Sequence, residues 1–249
     1  MSFLIDLNCD MGEGMPNDAQ LMPLITSANI ACGYHAGDET TMHRCVELAM
    51  KHGVLIGVHP SYPDRANFGR TNMKFSPDEV YDMVSKQIEL LLAVAEQHDA
   101  TVHHIKAHGA LYNMAAQDKD LALAICRAIK SVKKELLLFA LSGSPMVQVA
   151  QEQGVRCYQE VFADRSYQPN GTLTPRTQPN ALLHDNEEVK KQALAMILQK
   201  QVKAVDGTII PIVADTICLH GDGNHAVEFA EVIQKTLKDN GIQIRGYAY

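Results

Sequence analysis

Short apolar segments of β type alternate with amphipathic helical segments along the chain, and this alternation constrains the fold more than any other feature of the sequence. The β-type segments lie at 3–9, 28–33, 54–59, 101–107, 136–142, 155–162, 213–220 and 242–247. The helical patterns lie at 38–52, 77–98, 118–134, 144–153, 185–200 and 223–240. Such alternation predicts a parallel sheet, because parallel neighbours need a crossover connection and a helix usually supplies it.

We therefore predict an α/β fold, a distorted TIM-like (β/α) barrel of about seven parallel strands that occupies residues 1–249 as a single domain. An open doubly wound sheet is the alternative. Two segments interrupt the alternation. TIIPI at 208–212 is either a hairpin insertion or an extra strand, and the long polar segment 165–184 is typical of a lid or a disordered loop.

Charge and composition narrow the range of partners. The net charge of −7 argues against nucleic acid and anionic membranes as partners. The sequence has no run of about 18 apolar residues that would cross a membrane, and we see no signal peptide, so we expect a cytoplasmic protein. The six cysteines form no CxxC pair, whereas the eleven histidines favour metal binding or proton transfer.

Ionisable residues cluster at or just after the carboxyl ends of the predicted strands. In a parallel barrel all these ends meet on one rim, which is where active sites lie. A single histidine at a strand end is more often a structural residue than a ligand, so the prediction rests on six strands that share this feature. The polar residues concerned are Asp6, Asn8, Asp10, Glu13, His35, His59, Lys106, His108, Glu160, Asp164, Arg165, His220 and Asp222.

Three features of this rim suggest a metal site, a clamp for negative charge and an anion-binding site. Asp10, His35 and His59 are a predicted open site for a divalent ion, Mg²⁺ first and Mn²⁺ or Zn²⁺ as alternatives. Lys106 is either a clamp for developing negative charge or phosphate, or one half of a buried Lys–Asp pair, for example with Asp6. The segment HGDGNHA at 220–226 predicts an anion cradle before a helix, and no Walker A sequence is present.

The chain resembles the LamB/YcsF family in a series of motifs that occur in order from residue 4 to residue 222. They are DLNCDMGEG, NIACGYHAGD, GVHPSYPD, FGR at 68–70, KAHGALYN, EVFADRSY, the later Arg176, and TICLHGD. Two positions depart from the family's motifs. Ala107 stands where KPHGALYN has proline, and Glu39 stands where HAGDP has proline, so neither change removes an ionisable group.

This resemblance implies a seven-stranded, distorted (β/α) barrel similar to those of glycoside hydrolases and polysaccharide deacetylases. It also implies the role of the A subunit of ATP-dependent 5-oxoprolinase, a hydrolase of cyclic amides that works with subunits B and C. That reaction converts 5-oxo-L-proline, ATP and water into L-glutamate, ADP and phosphate. It needs cations for phosphate, a base for water and an acid for the lactam nitrogen.

The resemblance supports the choice of site residues, and their roles are hypotheses. The predicted catalytic residues are Asp6, Asp10, Lys106, His108, Glu160, Asp164 and Arg165. The predicted substrate- or phosphate-binding residues are Asn8, Glu13, Arg70, Arg176, His220, Gly221 and Asp222. Two other classes of function stay open, namely a metal-dependent deacetylase or amidase that acts without ATP, and a non-catalytic substrate-binding subunit.

Overall fold

The strands close into a parallel barrel in this computed structural model, which describes residues 3–219 and 226–246. Within those residues the barrel strands are β1 (Leu4–Met11), β2 (Ser27–Ala31), β3 (Leu55–His59), β4 (Val102–Ile105), β5 (Leu137–Leu141), β6 (Cys157–Phe162) and, further along the chain, β9 (Thr216–Leu219). Strand β1 pairs with β2 on one side and with β9 on the other, and β9 pairs with β6. This closure confirms the predicted barrel and rules out the open sheet.

Three short strands lie outside the ring. Strands β7 (Gln201–Lys203) and β8 (Ile209–Pro211) form an antiparallel hairpin, which resolves the TIIPI segment in favour of the hairpin insertion. Strand β10 (Gln243–Ile244) pairs with the first residues of β1. The predicted last strand is therefore much shorter than expected.

Helices connect the strands and cover the outside of the barrel. They are α1 (Asp18–Leu21), α2 (Glu39–His52), α3 (Pro77–Glu96), α4 (Gly109–Ala115), α5 (Lys119–Val132), α6 (Pro145–Glu152), α7 (Asn186–Leu194) and α8 (Ala226–Asp239). Helix α3 begins with the expected capping box, in which Ser76 and Glu79 satisfy each other's backbone N–H groups. The short helices α1 and α4 were not predicted, because four and seven residues give too little periodicity to recognise.

The alternation of side chains along β1 divides its residues between two environments. Ile5, Leu7 and Cys9 belong to the buried apolar core. The intervening Asp6 and Asn8 are fully buried and hydrogen-bond to polar groups of neighbouring strands. Successive strand residues point to opposite faces, so the polar face lines the interior of the barrel and the apolar face packs on the helices.

One glycine makes room for a histidine inside the barrel. His104 on β4 points inward, where its Nε2 lies 2.8 Å from Oδ1 of Asn29 and its ring stacks on Phe139 with the ring centroids 4.3 Å apart. A Cβ atom added to Gly57 on the neighbouring strand would lie 2.0 Å from the same Nε2. Position 57 therefore admits no side chain while His104 keeps this place.

The long segment after β6 is ordered and lies against the barrel. Isolated antiparallel bridges join Arg165 to Leu182 and Tyr167 to Leu173, so the chain folds back on itself between them. We call residues 165–178 the lid, since this stretch forms one wall of the cavity described below. In the part of the chain that the structure describes, no helix combines the length and apolar character needed to cross a membrane.

We predict that Gly57→Ala destabilises the protein by about 1–3 kcal/mol, because the new methyl group overlaps the His104 ring and must displace it. Urea unfolding monitored by circular dichroism measures the difference. The control is the same substitution in a His104→Ala background, where the atoms that the methyl group meets are gone and the added cost should shrink. An equal cost in both backgrounds would contradict the steric explanation.

Candidate functional site

A deep cavity of about 1010 Å³ opens at the carboxyl end of the barrel strands. Its floor includes Asp10 and Lys106 from the barrel interior, and helix α4 and the lid form its walls. This is the rim where the sequence predicts the site. The predicted residues that reach the cavity surface are Asp10, Glu13, Arg70, Lys106, His108, Arg165 and Arg176.

Lys106 is the centre of a charged network beneath the cavity. Its Nζ lies 2.9 Å from Oδ1 of Asp10 and 3.0 Å from Oε1 of Glu160. It also donates to Oδ1 of Asn8 at 3.1 Å and approaches Sγ of Cys218 at 3.0 Å. Lys106 forms a buried ion pair, as one of the two sequence interpretations predicts, but its partner is Asp10 and not Asp6. It also lines the cavity, where a charge clamp, the other interpretation, would have to lie.

The charges of this network stabilise one another despite deep burial. Burial alone would lower the pKa of Lys106, but the nearby carboxylates of Asp10 and Glu160 hold it well above its usual value. Burial would likewise raise the pKa of Asp10, but His59 and Lys106 hold it well below its usual value. Lys106 is therefore an ammonium and Asp10 a carboxylate across the physiological pH range.

Four side chains converge beside this network and form what we call the histidine cluster: Glu13, His35, His59 and His108. One ligand atom of each lies within 4.8 Å of the others, and all four residues are buried. Oε1 of Glu13 lies 2.9 Å from Nε2 of His35 and 3.2 Å from Nδ1 of His108. Nε2 of His59 lies 3.0 Å from Nδ1 of His108 and 3.2 Å from Oδ2 of Asp10.

The outer ring nitrogens of the three histidines show where their protons are. Nδ1 of His59 lies 2.7 Å from the carbonyl oxygen of Lys106, and Nε2 of His108 lies 2.9 Å from that of Phe68. A carbonyl oxygen only accepts hydrogen bonds, so both nitrogens carry hydrogen.

The third histidine is oriented in the same way. Nδ1 of His35 lies 2.8 Å from Oγ of Ser61, whose single proton is donated to the carbonyl oxygen of Tyr62. Nδ1 of His35 is therefore the donor in this hydrogen bond, and its Nε2 is left without a proton in the neutral ring. Burial lowers the pKa of His35 to about 4, which favours the neutral ring.

When all three rings are neutral, these tautomers direct three nitrogen lone pairs and one carboxylate oxygen to a common centre. Acceptors at 2.9–3.2 Å from one another repel unless a cation or additional protons lie between them. Metal-binding histidines typically donate their other N–H to a carbonyl or hydroxyl oxygen, as all three do here. The donor set and its outer hydrogen bonds thus fit a divalent metal ion.

The loop after β3 supplies much of this outer layer. Ser61 is held by the buried Gln87 of α3, which accepts from its N–H and donates to its carbonyl, both at 3.0 Å. Asp64 accepts from the side chain of Asn67 and from the N–H of Thr71, which shapes the turn that presents Phe68. Ser61 lies in the GVHPSYPD motif that follows the third predicted strand, whereas the sequence prediction missed Gln87, since nothing in a single sequence shows that a helix reaches this loop.

Several predicted site residues lie away from the cavity surface. Asp6 is fully buried below Asn8, where it accepts from the hydroxyls of Thr26, Ser27 and Thr216, and burial raises its pKa. The structure therefore gives it a place in the barrel core rather than beside a substrate. Asn8 and Glu160 are joined by a hydrogen bond of 2.9 Å and contact the cavity through Lys106.

Arg165, the first residue of the lid, holds the segment after β6 together. Its guanidinium donates to the carbonyl oxygens of Thr174 and Ala181 while it lines the cavity, and its neighbour Asp164 is half-buried outside the cavity wall. Gln192 of α7 donates to the carbonyl oxygen of Arg165 at 2.8 Å. The guanidinium of Arg165 is thus held by two carbonyl oxygens, and its own carbonyl oxygen is held by a side chain of α7.

Two exposed arginines stand at the mouth of the cavity. Arg176 belongs to the lid, and Arg70 lies over the ring of Phe68 with 4.8 Å between its Cζ and the ring centroid. Tyr112 on α4 also lines the cavity, and burial, followed by the negative charge of Glu160, raises its pKa well above its usual value. The sequence prediction missed Tyr112, although it lies in the quoted KAHGALYN motif. The remaining predictions, His220, Gly221 and Asp222, lie outside the described residues.

Comparison with known proteins identifies full-length relatives. The model of the LamB/YcsF family matches residues 5–249. A protein of Tolumonas auensis, named as the A subunit of 5-oxoprolinase, is 50% identical over 246 residues, which cover 97% of this chain and 98% of the relative. A protein of the same name from Oceanobacillus iheyensis is 46% identical over 250 residues, covering 98% of this chain and 97% of the relative.

Solved structures agree with the fold. The lactam utilization protein from Thermus thermophilus superposes with a TM-score of 0.91 at 38% identity, over 99% of this chain and 100% of that one. A family 4 carbohydrate esterase from Streptomyces lividans has a TM-score of 0.51 at 9% identity, over 99% of this chain and 93% of that one. The second similarity concerns the fold alone, and it confirms the predicted barrel type.

We predict that Lys106→Met destabilises the protein by about 3–5 kcal/mol, because it leaves the buried carboxylates of Asp10 and Glu160 without their cation. Urea unfolding at pH 7 measures the loss. Lys235→Met is the matched control, since it breaks an exposed pair with Asp239 and should change the free energy of unfolding by about 0.5 kcal/mol or less. Equal effects of the two substitutions would show that the buried network does not depend on Lys106.

Proposed function

The chain belongs to the LamB/YcsF family, and we propose that it is the A subunit of a 5-oxoprolinase that opens the lactam of 5-oxo-L-proline to give L-glutamate with hydrolysis of ATP. Relatives that match nearly the whole chain, named as A subunits of 5-oxoprolinase and as a lactam utilization protein, support a lactam substrate. The observation that carries the proposal is the histidine cluster, a set of convergent acceptors at the floor of a cavity large enough for a substrate.

We propose that Glu13, His35, His59 and His108 hold a divalent transition-metal ion. Three imidazole nitrogens and one carboxylate oxygen suit Zn²⁺ or a similar borderline ion better than Mg²⁺, which prefers oxygen ligands and water. This donor set differs from the predicted trio of Asp10, His35 and His59, since Glu13 and His108 join the two histidines and Asp10 is not part of the cluster. Asp10 instead lies beside it, with Oδ2 at 3.2 Å from Nε2 of His59. When bound, such an ion polarises a carbonyl oxygen or lowers the pKa of a water molecule.

The protein's own residues would supply the remaining electrostatics. Asp10 stays ionised next to Lys106, so it orients and stabilises positive charge rather than donating a proton. Tyr112 keeps its proton because burial and the charge of Glu160 raise its pKa, so it adds a neutral ring to the cavity wall. Arg70 and Arg176 would bind the substrate carboxylate or a phosphate, as guanidinium groups do.

ATP and partner subunits belong to the same proposal. Phosphorylation of the lactam oxygen makes the ring carbon more electrophilic and the ring nitrogen a better leaving group, and this explains why a stable lactam needs ATP. The name of the relatives supports a complex with further subunits, and we propose subunits B and C. We place the protein in the cytoplasm as one catalytic domain, and its six free cysteines support a reducing compartment.

We predict that Glu13→Gln and His35→Gln each weaken Zn²⁺ binding by about tenfold or more, because each removes one ligand from the cluster. Equilibrium dialysis with elemental analysis gives stoichiometry and affinity, and wild type should bind one ion. His98→Gln is the matched control, because His98 pairs with His43 on the outside of the barrel at 2.7 Å, away from the cavity. Unchanged affinity in both cluster variants would exclude this metal site.

The proposed activity is tested by measuring ADP and L-glutamate released from 5-oxo-L-proline by this chain alone and with subunits B and C. We expect coupled release of both products only with all three subunits and ATP. Glutamate release without nucleotide would favour the amidase alternative instead. Full turnover by complexes that contain Glu13→Gln or Asp10→Asn would favour the non-catalytic alternative.

A further inference from the structure

A short loop after β3 lies against the histidine cluster. We call residues 64–71 the clamp loop. Its shape is set by Asp64, whose backbone carbonyl oxygen accepts from the N–H of Gly69 at 2.8 Å. The carboxylate of the same residue accepts from the N–H of Thr71 at 3.1 Å. One residue thus brings the two ends of the clamp loop together.

The backbone of the clamp loop contacts two of the three histidines. The rings of His35 and His108 are stacked, with their centroids 3.8 Å apart. A Cβ atom added to Gly69 would lie 2.9 Å from Cβ of His35 and 2.9 Å from Cδ2 of His108. Phe68, whose carbonyl oxygen accepts from Nε2 of His108, has a left-handed backbone at φ 56°. That conformation is unfavourable for a bulky residue, and such strain is common at functional sites.

Arg65 joins the clamp loop to the turn that carries His35. Its guanidinium donates to the carbonyl oxygen of Gly33 at 2.9 Å through Nη1 and to that of Gly37 at 2.6 Å through Nη2. These carbonyls belong to the residues two positions before and two positions after His35. A planar guanidinium has donors at fixed angles, so it holds two acceptors in a defined geometry, which a point charge does not do.

The turn that carries His35 is closed on itself and confined on its other side. The N–H of Gly33 donates to the carbonyl oxygen of Ala36 at 3.0 Å. Gly37 lies against the loop after β1, because a Cβ atom there would lie 2.8 Å from the carbonyl oxygen of Gly12. The turn is thus held between the loop after β1 on one side and the guanidinium on the other.

The contact of Arg65 affects the place of the turn more than the stability of the barrel. Arg65 is exposed, and the two carbonyls that it holds belong to neither a helix nor a strand. Exposed polar contacts contribute little to the free energy of unfolding, since water can replace them. What water does not reproduce is the fixed distance between two carbonyl oxygens on either side of a proposed metal ligand.

We propose that Arg65 is a positioning residue for the histidine cluster. Its guanidinium holds the turn at 33–37, so that Nε2 of His35 stays 2.9 Å from Oε1 of Glu13 and faces the centre of the cluster. This role rests on the proposed function for the metal ion. It adds a residue outside the donor set that determines how well the donor set is formed.

The test compares Arg65→Gln and Arg65→Lys with Arg127→Gln as the matched control. Arg127 is also exposed, but it pairs with Asp78 at 3.0 Å in the helical layer outside the barrel. Equilibrium dialysis measures Zn²⁺ affinity, and circular dichroism reports whether the barrel is intact. We expect Arg65→Gln to bind Zn²⁺ about tenfold or more weakly with an unchanged spectrum, and Arg127→Gln to bind as wild type does. Arg65→Lys keeps the charge without the planar fork, so we expect it to remain weaker than wild type by about threefold or more.

The tautomer of His35 provides a second readout, in metal-free protein at pH 7. Nitrogen-15 NMR of the histidine side chains distinguishes a proton on Nδ1 from one on Nε2, and we expect Nδ1–H in wild type because Nδ1 donates to Ser61. In Arg65→Gln we expect a mixture of tautomers at His35. His59 is the internal standard, since its Nδ1 donates to the carbonyl of Lys106, and its signal should not change.

Other outcomes overturn the positioning role. Wild-type Zn²⁺ affinity in Arg65→Gln would contradict it, and full affinity in Arg65→Lys would assign the effect to charge instead of the two hydrogen bonds. An equal change at His59 and His35 would indicate a general loosening of the site. The metal site is judged separately. Wild type that binds no Zn²⁺ contradicts the proposed metal ion, and the tautomer comparison in metal-free protein still decides whether Arg65 orients His35.

Discussion

Lys106 carries its ammonium group into the closed interior of the barrel and places it between the carboxylates of Asp10 and Glu160. Each of these charges would be costly to bury alone, and together they are tolerated because each has an opposite charge within 3.0 Å. The neighbouring polar residues follow from this pair. Asn8 bridges Lys106 and Glu160, and Asn29 donates to Asp10, so the upper interior is a hydrogen-bonded network where most barrels of this type pack branched apolar side chains.

The histidine cluster depends on the same network through the backbone. The carbonyl of Lys106 fixes the tautomer of His59, so the residue that balances the buried carboxylates also orients a metal-type ligand. The other two histidines are oriented by the loop after β3, through Ser61 and the carbonyl of Phe68. Residues from four strand ends thus form one site. Hydrogen bonds from the three histidine rings to main-chain and hydroxyl oxygens orient these rings toward a common centre.

The outer parts of the molecule connect to this centre through the lid. Arg165 and Tyr167 follow β6 directly, and both are buried and hydrogen-bonded to main-chain atoms. The polar segment that is typical of a lid in the sequence is held in place by these two side chains and by Gln192. Ala204 in the β7–β8 hairpin forms a bridge with Tyr167, so the hairpin is joined to the lid.

The fold could be predicted from the sequence because its determinants are local and periodic. Apolar alternation identifies β1, capping residues mark the start of α3, and repeated strand–helix units leave few topologies for a parallel sheet. Helices shorter than two turns escaped prediction for the same reason, since α1 and α4 have no period to detect. The family motifs add specificity, but they identify residues without assigning roles.

By itself, then, the sequence determined the barrel, the rim and most of the residues that occupy it. The tertiary structure alone decided which of them meet. Positions 13, 35, 59 and 108 converge at one centre, whereas Asp6, two residues from Asn8 on the same strand face, belongs to the core below. The physical reason is that side-chain pairing in a barrel depends on strand register and on loop hydrogen bonds. Those contacts join residues far apart in the chain, such as Lys106 with Asp10 and Glu160, and no local pattern encodes them.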